Sequence, residues 1–322
     1  MDLGHEPGDR LMSFFIGKAI MNTQPAGKTV ATLSGLGAIL LWALLALFTT
    51  GTADIPPFQL TAMSFGIAFV GVLLKWVLYR QDIRPFFRIP GGLWLLGVAG
   101  LFGYHFFYFL ALKNAPAAEA SLIAYLWPLL IVIFSALLPG ERFYWFHVAG
   151  AVLSLLGAGL LISKGTAFDF RPEYLKGYLA AICCAFIWSG YSVLSRRYAA
   201  VSSDVIGLFC GITAILALVC HLAFETTLWP EGVLQWLAVL GLGLGPVGAA
   251  FFLWDRGMKH GDIQSLGVLS YLSPLLSTLI LLLMGVAAFS YSLLFGCLLI
   301  TGGAALGSLK LIRAIVRPGR GG

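Results

Sequence analysis

The sequence predicts an all-α integral membrane protein in which ten transmembrane helices form two five-helix repeats of inverted topology around a central cavity. Three observations predict this fold. The chain is 59% apolar and only 11% charged, with a mean hydropathy of +0.92, whereas ordinary soluble chains carry about 25% charge. It divides into ten long apolar runs. Its two halves also repeat each other at a constant offset.

Each apolar run is long enough to cross a bilayer, which takes roughly 20 residues in a helix. Most linkers between the runs are short and contain proline, glycine or charges, so successive helices must pack antiparallel and no soluble domain fits. We expect a cytoplasmic tail over 1–32, a first repeat over 33–164, a second over 176–310 and a basic tail over 311–322. The predicted spans are 33–52, 58–79, 92–112, 117–138, 143–163, 176–196, 204–224, 234–255, 263–284 and 290–310.

Lys and Arg are distributed unequally between the two sets of loops. With the N-terminus taken as cytoplasmic, 16 of them lie inside and 4 outside. The positive-inside rule then places both termini in the cytoplasm. The net charge of +6 is explained by these loops, so we expect the lipid bilayer and no nucleic acid as a partner.

The internal repeat has an offset of 146 residues without gaps. Each half contains five spans, an odd number, so the second half must be inserted upside down. Inverted repeats are typical of transporters, with the substrate site near the midplane between the repeats. The matched pairs include Trp42 with Trp188, Tyr108 with Trp254, Tyr125 with Tyr271, Pro128 with Pro274, Gly150 with Gly296 and Gly157 with Gly303.

The fourth and ninth spans each contain a proline, Pro128 and Pro274. Proline removes one backbone N–H and clashes with the carbonyl four residues earlier, at Ala124 and Ser270. In hydrocarbon such a carbonyl needs another partner, so a kink of this kind tends to face protein or a water-filled cavity. We therefore predict two conformational kinks beside a common cavity.

Small residues at helical spacing predict where helices approach closely, although glycine is also simply common in membrane helices. The spacing occurs in Gly303 with Gly307, in Gly241 with Gly245, and in Gly150 with Ser154 and Ala158.

Aromatic side chains of the third and fourth spans are the first candidates for substrate binding. Tyr104 and Tyr108 share a helix face and line the cavity or form an aromatic belt at the membrane surface. Tyr125 and Trp127 would point about 200° apart in a regular helix, so both need not reach one cavity. Trp127 is the stronger candidate because an indole stacks on aromatic substrates.

The other candidates follow from the repeat. Trp42 and Trp188 are equivalent, and Tyr191 lies one turn from Trp188; the alternative role for them is core packing. The second-half counterparts of the Tyr125–Pro128 stretch and its neighbours are Trp254, Tyr271 and Ser273.

Ionisable residues in the spans are weaker candidates for a functional role. His105 lies in mid-span, where an ionisable group suggests function, but a lone histidine is more often packed and neutral. Glu119 either binds a substrate ammonium or faces outer water. We interpret Lys113, Asp255, Arg256 and Lys259 as helix ends that snorkel or pair.

Taken together, these residues resemble the drug/metabolite transporter superfamily of EamA type over roughly residues 33–310. The resemblance is carried by Trp42, Trp188, the segment Ala111–Ala118, the two proline helices and Gly140-Glu141-Arg142. The aromatic stretch 103–109 and Tyr125-Leu126-Trp127-Pro128 are most similar to YddG-type exporters of aromatic amino acids. This resemblance implies efflux of aromatic amino acids and related metabolites across a bacterial inner membrane.

Two departures from the family pattern qualify this. The second half has Val286-Ala287 in place of the Gly-Glu pair, and the first span lacks a glutamate that small proton-coupled relatives carry. Proton antiport by that route is therefore in doubt, and the direction of net flux stays open.

Other functions are weighed against this one. A broad drug or nucleotide-sugar carrier of the same superfamily is the first alternative, although cationic drugs would favour buried acids that the chain mostly lacks. An intramembrane enzyme is a distant third, because no catalytic or nucleotide-binding motif occurs. The five cysteines fall inside apolar runs without paired metal-ligand spacing. We expect no catalytic residue, metal or cofactor, and a monomer.

Overall fold

The computed structural model describes residues 25–141, 144–286 and 289–309. Nine helices in this part of the chain are long and apolar enough to cross a membrane, and a tenth apolar helix is shorter, at 17 residues. In chain order they are α1 (Gly27–Thr50), α2 (Pro57–Leu78), α3 (Gly91–Asn114), α4 (Ala117–Ser135), α5 (Trp145–Ser163), α6 (Pro172–Tyr198), α7 (Ser203–Phe224), α8 (Val233–His260), α9 (Ile263–Leu283) and α10 (Tyr291–Gly307).

Each predicted span coincides with one of these helices, but several helices are longer than their apolar runs. The helical part of the chain begins at Pro25, inside the predicted tail 1–32. Helix α8 continues past residue 255 to His260. A count of apolar residues stops at the first charges, whereas the backbone ladder continues wherever those charges find partners. Residues 1–24, residues 310–322 and Phe143 of the predicted α5 lie outside the described residues.

Helices α4 and α9 are both interrupted just before their prolines, as predicted. Helix α4 consists of Ala117–Ala124 and Trp127–Ser135, and α9 of Ile263–Leu269 and Leu272–Leu283. Pro128 has no N–H to donate and its ring excludes the carbonyl of the preceding turn, so the helix breaks one turn earlier. The same reasoning holds for the break before α9's proline.

Helices α3 and α8 each contain one turn of π-helix. The turns cover Ala99–Gly103 and Gly245–Ala249, which are 146 residues apart at both ends. A π-helical turn inserts an extra residue and redirects the side chains beyond it, and such turns often occur at functional sites. These two turns were not predicted from the sequence.

Helices α5 and α10 pack against each other through glycine. A Cβ at Gly150 would lie 2.5 Å from the carbonyl oxygen of Gly303, and one at Gly157 would lie 2.8 Å from that of Gly296. The contacts run in opposite directions along the chain, so the two helices are antiparallel. This confirms the close approach that Gly303, Gly307 and Gly150 predicted.

Three further helix pairs surround the largest cluster of buried hydrophobic side chains. Helix α1 packs along α8, where a Cβ at Gly257 would lie 2.7 Å from the Cα of Gly35. Helix α2 packs along α7, and α3 along α6.

Near the start of α1, Thr32 Oγ1 accepts from the Asp262 backbone N–H (2.8 Å), and Gly307 at the end of α10 packs against Val268. We call the side of the protein on which these two contacts lie, at the start of α1 and the end of α10, the terminal face.

Candidate functional site

A cavity of about 120 Å³ lies inside the helices where the interruptions of α3, α4, α8 and α9 meet. Seven of the residues predicted from sequence line it: Trp42, Tyr104, His105, Tyr125, Trp127, Trp188 and Ser273. Their side chains come from α1, α3, α4, α6 and α9. The helix breaks therefore lie beside the cavity, as expected for backbone that needs partners in hydrocarbon.

Four tryptophans from four helices form one cluster at this cavity. Trp42, Trp127, Trp188 and Trp254 contact one another in all six pairings, with ring centroids 5.0–6.3 Å apart. Most of the pairs meet edge to face, which the ring quadrupoles favour. The cluster gives the cavity a wall of aromatic faces and edges.

Hydrogen bonds hold two of these indoles in place. Trp42 Nε1 donates to the carbonyl oxygen of Pro246 (3.0 Å), and Trp254 Nε1 donates to Ser192 Oγ (3.0 Å). Pro246 lies in the π-helical turn of α8. Trp42 thus has both roles considered from the sequence, since its N–H is satisfied within the core while its ring lines the cavity.

The break in α4 brings Tyr125 and Trp127 to the same cavity. A regular helix would separate them, but the chain turns at Tyr125 and Leu126 between the two helical segments. The geometry that the sequence left open is therefore resolved by the interruption before Pro128. Pro128 itself and Pro274 lie in the segments that follow the breaks.

Polar groups of α3 and α9 complete the wall. His105 Nδ1 donates to the carbonyl oxygen of Leu101 (2.7 Å), because a carbonyl can only accept. Its ring lies 5.2 Å from that of Phe65. Ser273 is 8% exposed. The lining in the described part of the chain contains no Asp, Glu, Lys or Arg.

Four predicted residues lie behind the wall. Trp254 and Tyr271 are fully buried, and Tyr191 is 2% exposed. Tyr271 OH donates to the carbonyl oxygen of Tyr125 at the α4 break (3.0 Å). Tyr108 stacks on Tyr104 with ring centroids 6.0 Å apart, and its hydroxyl hydrogen-bonds Ser121 Oγ (3.2 Å).

Of the two alternatives for Asp255 and Lys259 at the end of α8, snorkelling or pairing, the structure shows pairing. They form a buried ion pair within α8, with Lys259 Nζ 2.7 Å from Asp255 Oδ2 and both side chains at most 2% exposed. Tyr191 OH donates to Asp255 Oδ1 (3.4 Å), and Lys259 Nζ donates to the carbonyl oxygen of Val201 (3.0 Å). Charges buried this far from water must be paired and hydrogen-bonded.

Glu119 faces neither substrate cavity nor open water. It is 8% exposed, and its Oε1 accepts from the backbone N–H of Asp169 in the linker between α5 and α6 (3.2 Å). It therefore anchors that linker. Lys113 lies exposed at the end of α3, as predicted.

Four lining residues were missed from the sequence: Leu45, Pro246, Val247 and Phe251. Pro246 carried the same signal as Pro128, a proline inside an apolar run, and could have been found from it. The others carried no signal, because apolar side chains that line a cavity cannot be told from those that pack in a core.

Comparisons with known proteins agree with this architecture. The sequence matches the EamA-like transporter family twice, over residues 29–163 and 175–309. It is 54% identical over 284 residues to the aromatic amino acid exporter YddG of Ancylobacter novellus, covering 88% of this chain and 98% of that protein. The YddG exporter of Escherichia coli is 28% identical over 292 residues, covering 86% and 96%.

A solved crystal structure with 53% sequence identity superposes on this fold with a TM-score of 0.83, covering 88% of this chain and 98% of that one. Both family matches span nearly a whole half of the chain, and the resemblance inferred from the sequence is confirmed. The protein is a multi-pass membrane protein with transporters as its relatives, and it belongs to the EamA-like transporter family.

Proposed function

We propose that this protein exports aromatic amino acids and related small metabolites across the bacterial inner membrane. The single observation that carries the proposal is the cluster of four tryptophans at an uncharged cavity inside the helices. Two of its relatives are named aromatic amino acid exporters. An aromatic ring stacks well on indoles, whereas the phosphates of a nucleotide-sugar would meet no Lys or Arg in the described lining.

The ends of the substrate would meet different walls. The tryptophans receive the ring, and Tyr125 and Ser273, which line the same cavity, offer hydroxyls as hydrogen-bond partners for the carboxylate and ammonium. An ammonium can also lie over an indole face, where the ring quadrupole attracts it. Since no carboxylate lines the described cavity, a cationic drug is a poorer fit than a zwitterion.

Binding of a whole amino acid requires the cavity to enlarge. A cavity of about 150 Å³ holds one benzene molecule, and the present volume is about 120 Å³. One ring therefore nearly fills it, with no room for the amino and carboxyl groups. We infer that the structure represents a contracted state of the site and that side chains or helices move apart when substrate enters.

The proposed motion is alternating access between two inverted repeats, over residues 33–164 and 176–310. Two contacts join residues that are themselves 146 apart: Ser154 Oγ donates to Ile300 O (3.4 Å), and Tyr271 OH to Tyr125 O. Equivalent residues can touch only near a two-fold axis, so these contacts support a pseudo-symmetric pair of five-helix halves. In such proteins the site lies at the repeat interface.

Polar ties between the halves would have to break during the motion. At the terminal face, Arg196 of the second half lies 3.0 Å from Glu141 of the first half. At the opposite face, the Glu225 carboxylate accepts the backbone N–H of Phe58 (2.9 Å). The positive-inside count supports a cytoplasmic terminal face, and a single chain contains all the groups that this cycle uses.

Flux in proteoliposomes tests the proposal. Vesicles containing the purified protein would be assayed with labelled phenylalanine, tryptophan and threonine and with a cationic dye, each with and without a pH gradient. We expect saturable flux of the aromatic amino acids that unlabelled tryptophan inhibits. Flux of the dye without flux of amino acids would overturn the proposal in favour of a drug carrier, and the pH-gradient arm determines the coupling.

A further inference from the structure

A groove between α2 and α8 lies outside the substrate cavity and reaches the terminal face. Its volume is about 460 Å³, within the range of small-molecule binding sites. Along the two helices its lining combines glycines and alanines with larger apolar side chains, and polar residues lie at one end. The larger apolar residues are Val72, Leu244, Phe252 and Leu253. It shares no lining residue with the substrate cavity.

The groove has the length of one leaflet. Along α8 it extends from Gly243, near the middle of the helix, to Arg256. Those 13 steps correspond to about 20 Å at ~1.5 Å per residue. Half of a hydrocarbon core of ~30 Å is about 15 Å. An acyl chain of one leaflet therefore fits along the groove, and the end of the chain nearest the headgroup would lie at Arg256.

Glycine keeps the groove open. A Cβ at Gly71 would make only an ordinary van der Waals contact, with Leu244 at 3.8 Å, so the wall at Gly71 is not tightly packed. Next to it, the π-helical turn Gly245–Ala249 displaces the backbone of α8. Ala68 and Ala249 add only methyl groups to the walls.

The polar end of the groove is cationic. Asp204 is already engaged, because Lys75 Nζ lies 2.6 Å from its Oδ1 and Gln81 Nε2 donates to its Oδ2 (2.7 Å). Arg256 is exposed and pairs with no carboxylate among the described residues. One positive charge is thus left over where the groove meets the membrane surface.

We propose that this groove binds one anionic phospholipid, with an acyl chain between α2 and α8 and the phosphate at Arg256 and Lys75. Charge complementarity selects this occupant, since an apolar slot that ends in an unpaired guanidinium matches a lipid with a negative headgroup. Basic pockets between membrane helices bind such headgroups in this way. Arg also binds phosphate through two parallel N–H bonds.

Two variants separate the headgroup from the acyl chain. Arg256→Gln removes the unpaired charge at an exposed position. Gly71→Leu adds a side chain to the wall of the groove, where the acyl chain would lie. Their controls are Arg88→Gln, an exposed arginine at the same end of α2 outside the groove, and Gly66→Leu, since a Cβ at Gly66 meets nothing within 4 Å.

Lipid binding would be measured by native mass spectrometry of the delipidated protein, titrated separately with phosphatidylglycerol, phosphatidylcholine and inorganic phosphate. We expect the wild-type protein to prefer phosphatidylglycerol and Arg256→Gln to lose about fivefold in that affinity, the equivalent of roughly 1 kcal/mol per basic residue. Gly71→Leu should lower the affinity for both lipids, and both control variants should bind lipid like the wild type.

Three results would overturn the proposal. Equal affinity of the wild type for the two lipids would remove the headgroup site. Binding of inorganic phosphate as tight as that of phosphatidylglycerol, unaffected by Gly71→Leu, would leave an anion site without an acyl chain. A change from dimer to monomer on Gly71→Leu would assign the groove to a second copy of the chain. Amino acid flux is measured separately, so its absence would affect only the proposed function.

Discussion

Replacement of Trp127 tests the proposed substrate site most directly. The Trp127 ring is 7% exposed, lines the cavity and contacts Trp42, Trp188 and Trp254 at centroid distances of 5.8–6.3 Å. In Trp127→Ala the substrate loses one aromatic wall. In Trp127→Phe it keeps a smaller one.

The expected effect can be worked out from these contacts. An aromatic pair contributes about 0.5–1.5 kcal/mol beyond the area that it buries, and part of that area is lost as well. A total of about 1–2 kcal/mol corresponds to a five- to thirtyfold higher half-saturation concentration for Trp127→Ala. Trp127→Phe, which keeps a ring in place, should change it by less than about fivefold.

Loss of a buried tryptophan also destabilises the fold, by about 3–5 kcal/mol, so a control with the same cost is needed. Trp76 on α2 is 3% exposed and packs against Phe86 at 5.5 Å, away from the cavity. Trp76→Ala should lower the melting temperature similarly and leave the half-saturation concentration unchanged. The assay is tryptophan flux in proteoliposomes, normalised to folded protein. A folded Trp127→Ala protein with a half-saturation concentration within twofold of wild type would show that Trp127 does not contact the substrate.

Three further predictions concern packing and polar ties. Gly303→Val should lower the free energy of unfolding by more than about 3 kcal/mol, because its Cβ would lie 2.5 Å from the Gly150 carbonyl oxygen. Gly302→Val should be tolerated, because the nearest neighbour of its Cβ is Leu153 at 3.8 Å. Thermal unfolding in detergent compares the two variants. Glu225→Ala should lower stability by about 1 kcal/mol through loss of an N-terminal cap on α2, without raising the half-saturation concentration. Glu141→Gln removes the charge that faces Arg196 and should increase alkylation of cysteines introduced at the terminal face; unchanged labelling would contradict its role as a tie.

The sequence predicted the helices and the neighbours of the cavity because each signal was local. Apolar length is sufficient to place a membrane helix, and Pro128 by itself requires the preceding turn to break. Pairing at a fixed offset then placed Trp42 and Trp188 in equivalent helices, and their contact at 5.7 Å follows from the packing of those helices around one centre.

What the sequence could not provide depends on three-dimensional contacts. The charges of Asp255 and Lys259 looked like a helix end because hydropathy records a residue's chemistry and not its partner, and only the fold shows that they satisfy each other. The π-helical turn that brings Val247 to the cavity arises from backbone hydrogen bonding, which leaves little trace in composition.

Tyr125 and Tyr271 are equivalent in the repeat, yet the structure gives their hydroxyls different tasks. Tyr125 lines the cavity, whereas the hydroxyl of the fully buried Tyr271 donates to the Tyr125 carbonyl oxygen at the break in α4 (3.0 Å). That bond provides the partner that a carbonyl near a proline break needs in hydrocarbon. The two hydroxyls can therefore be removed separately with opposite expected results.

Tyr271→Phe should lower the free energy of unfolding by about 0.6–1.7 kcal/mol, the range of hydrogen bonds between membrane helices, and leave the half-saturation concentration for tryptophan unchanged. Tyr125→Phe should raise that concentration with little loss of stability, because Tyr125 lines the cavity and the Tyr271 bond uses only its backbone. Thermal unfolding and proteoliposome flux measure the two quantities on the same preparations. If Tyr271→Phe weakens substrate binding as strongly as Tyr125→Phe does, the second-half tyrosine contacts substrate in another state of the cycle, and its assignment to the α4 break is wrong.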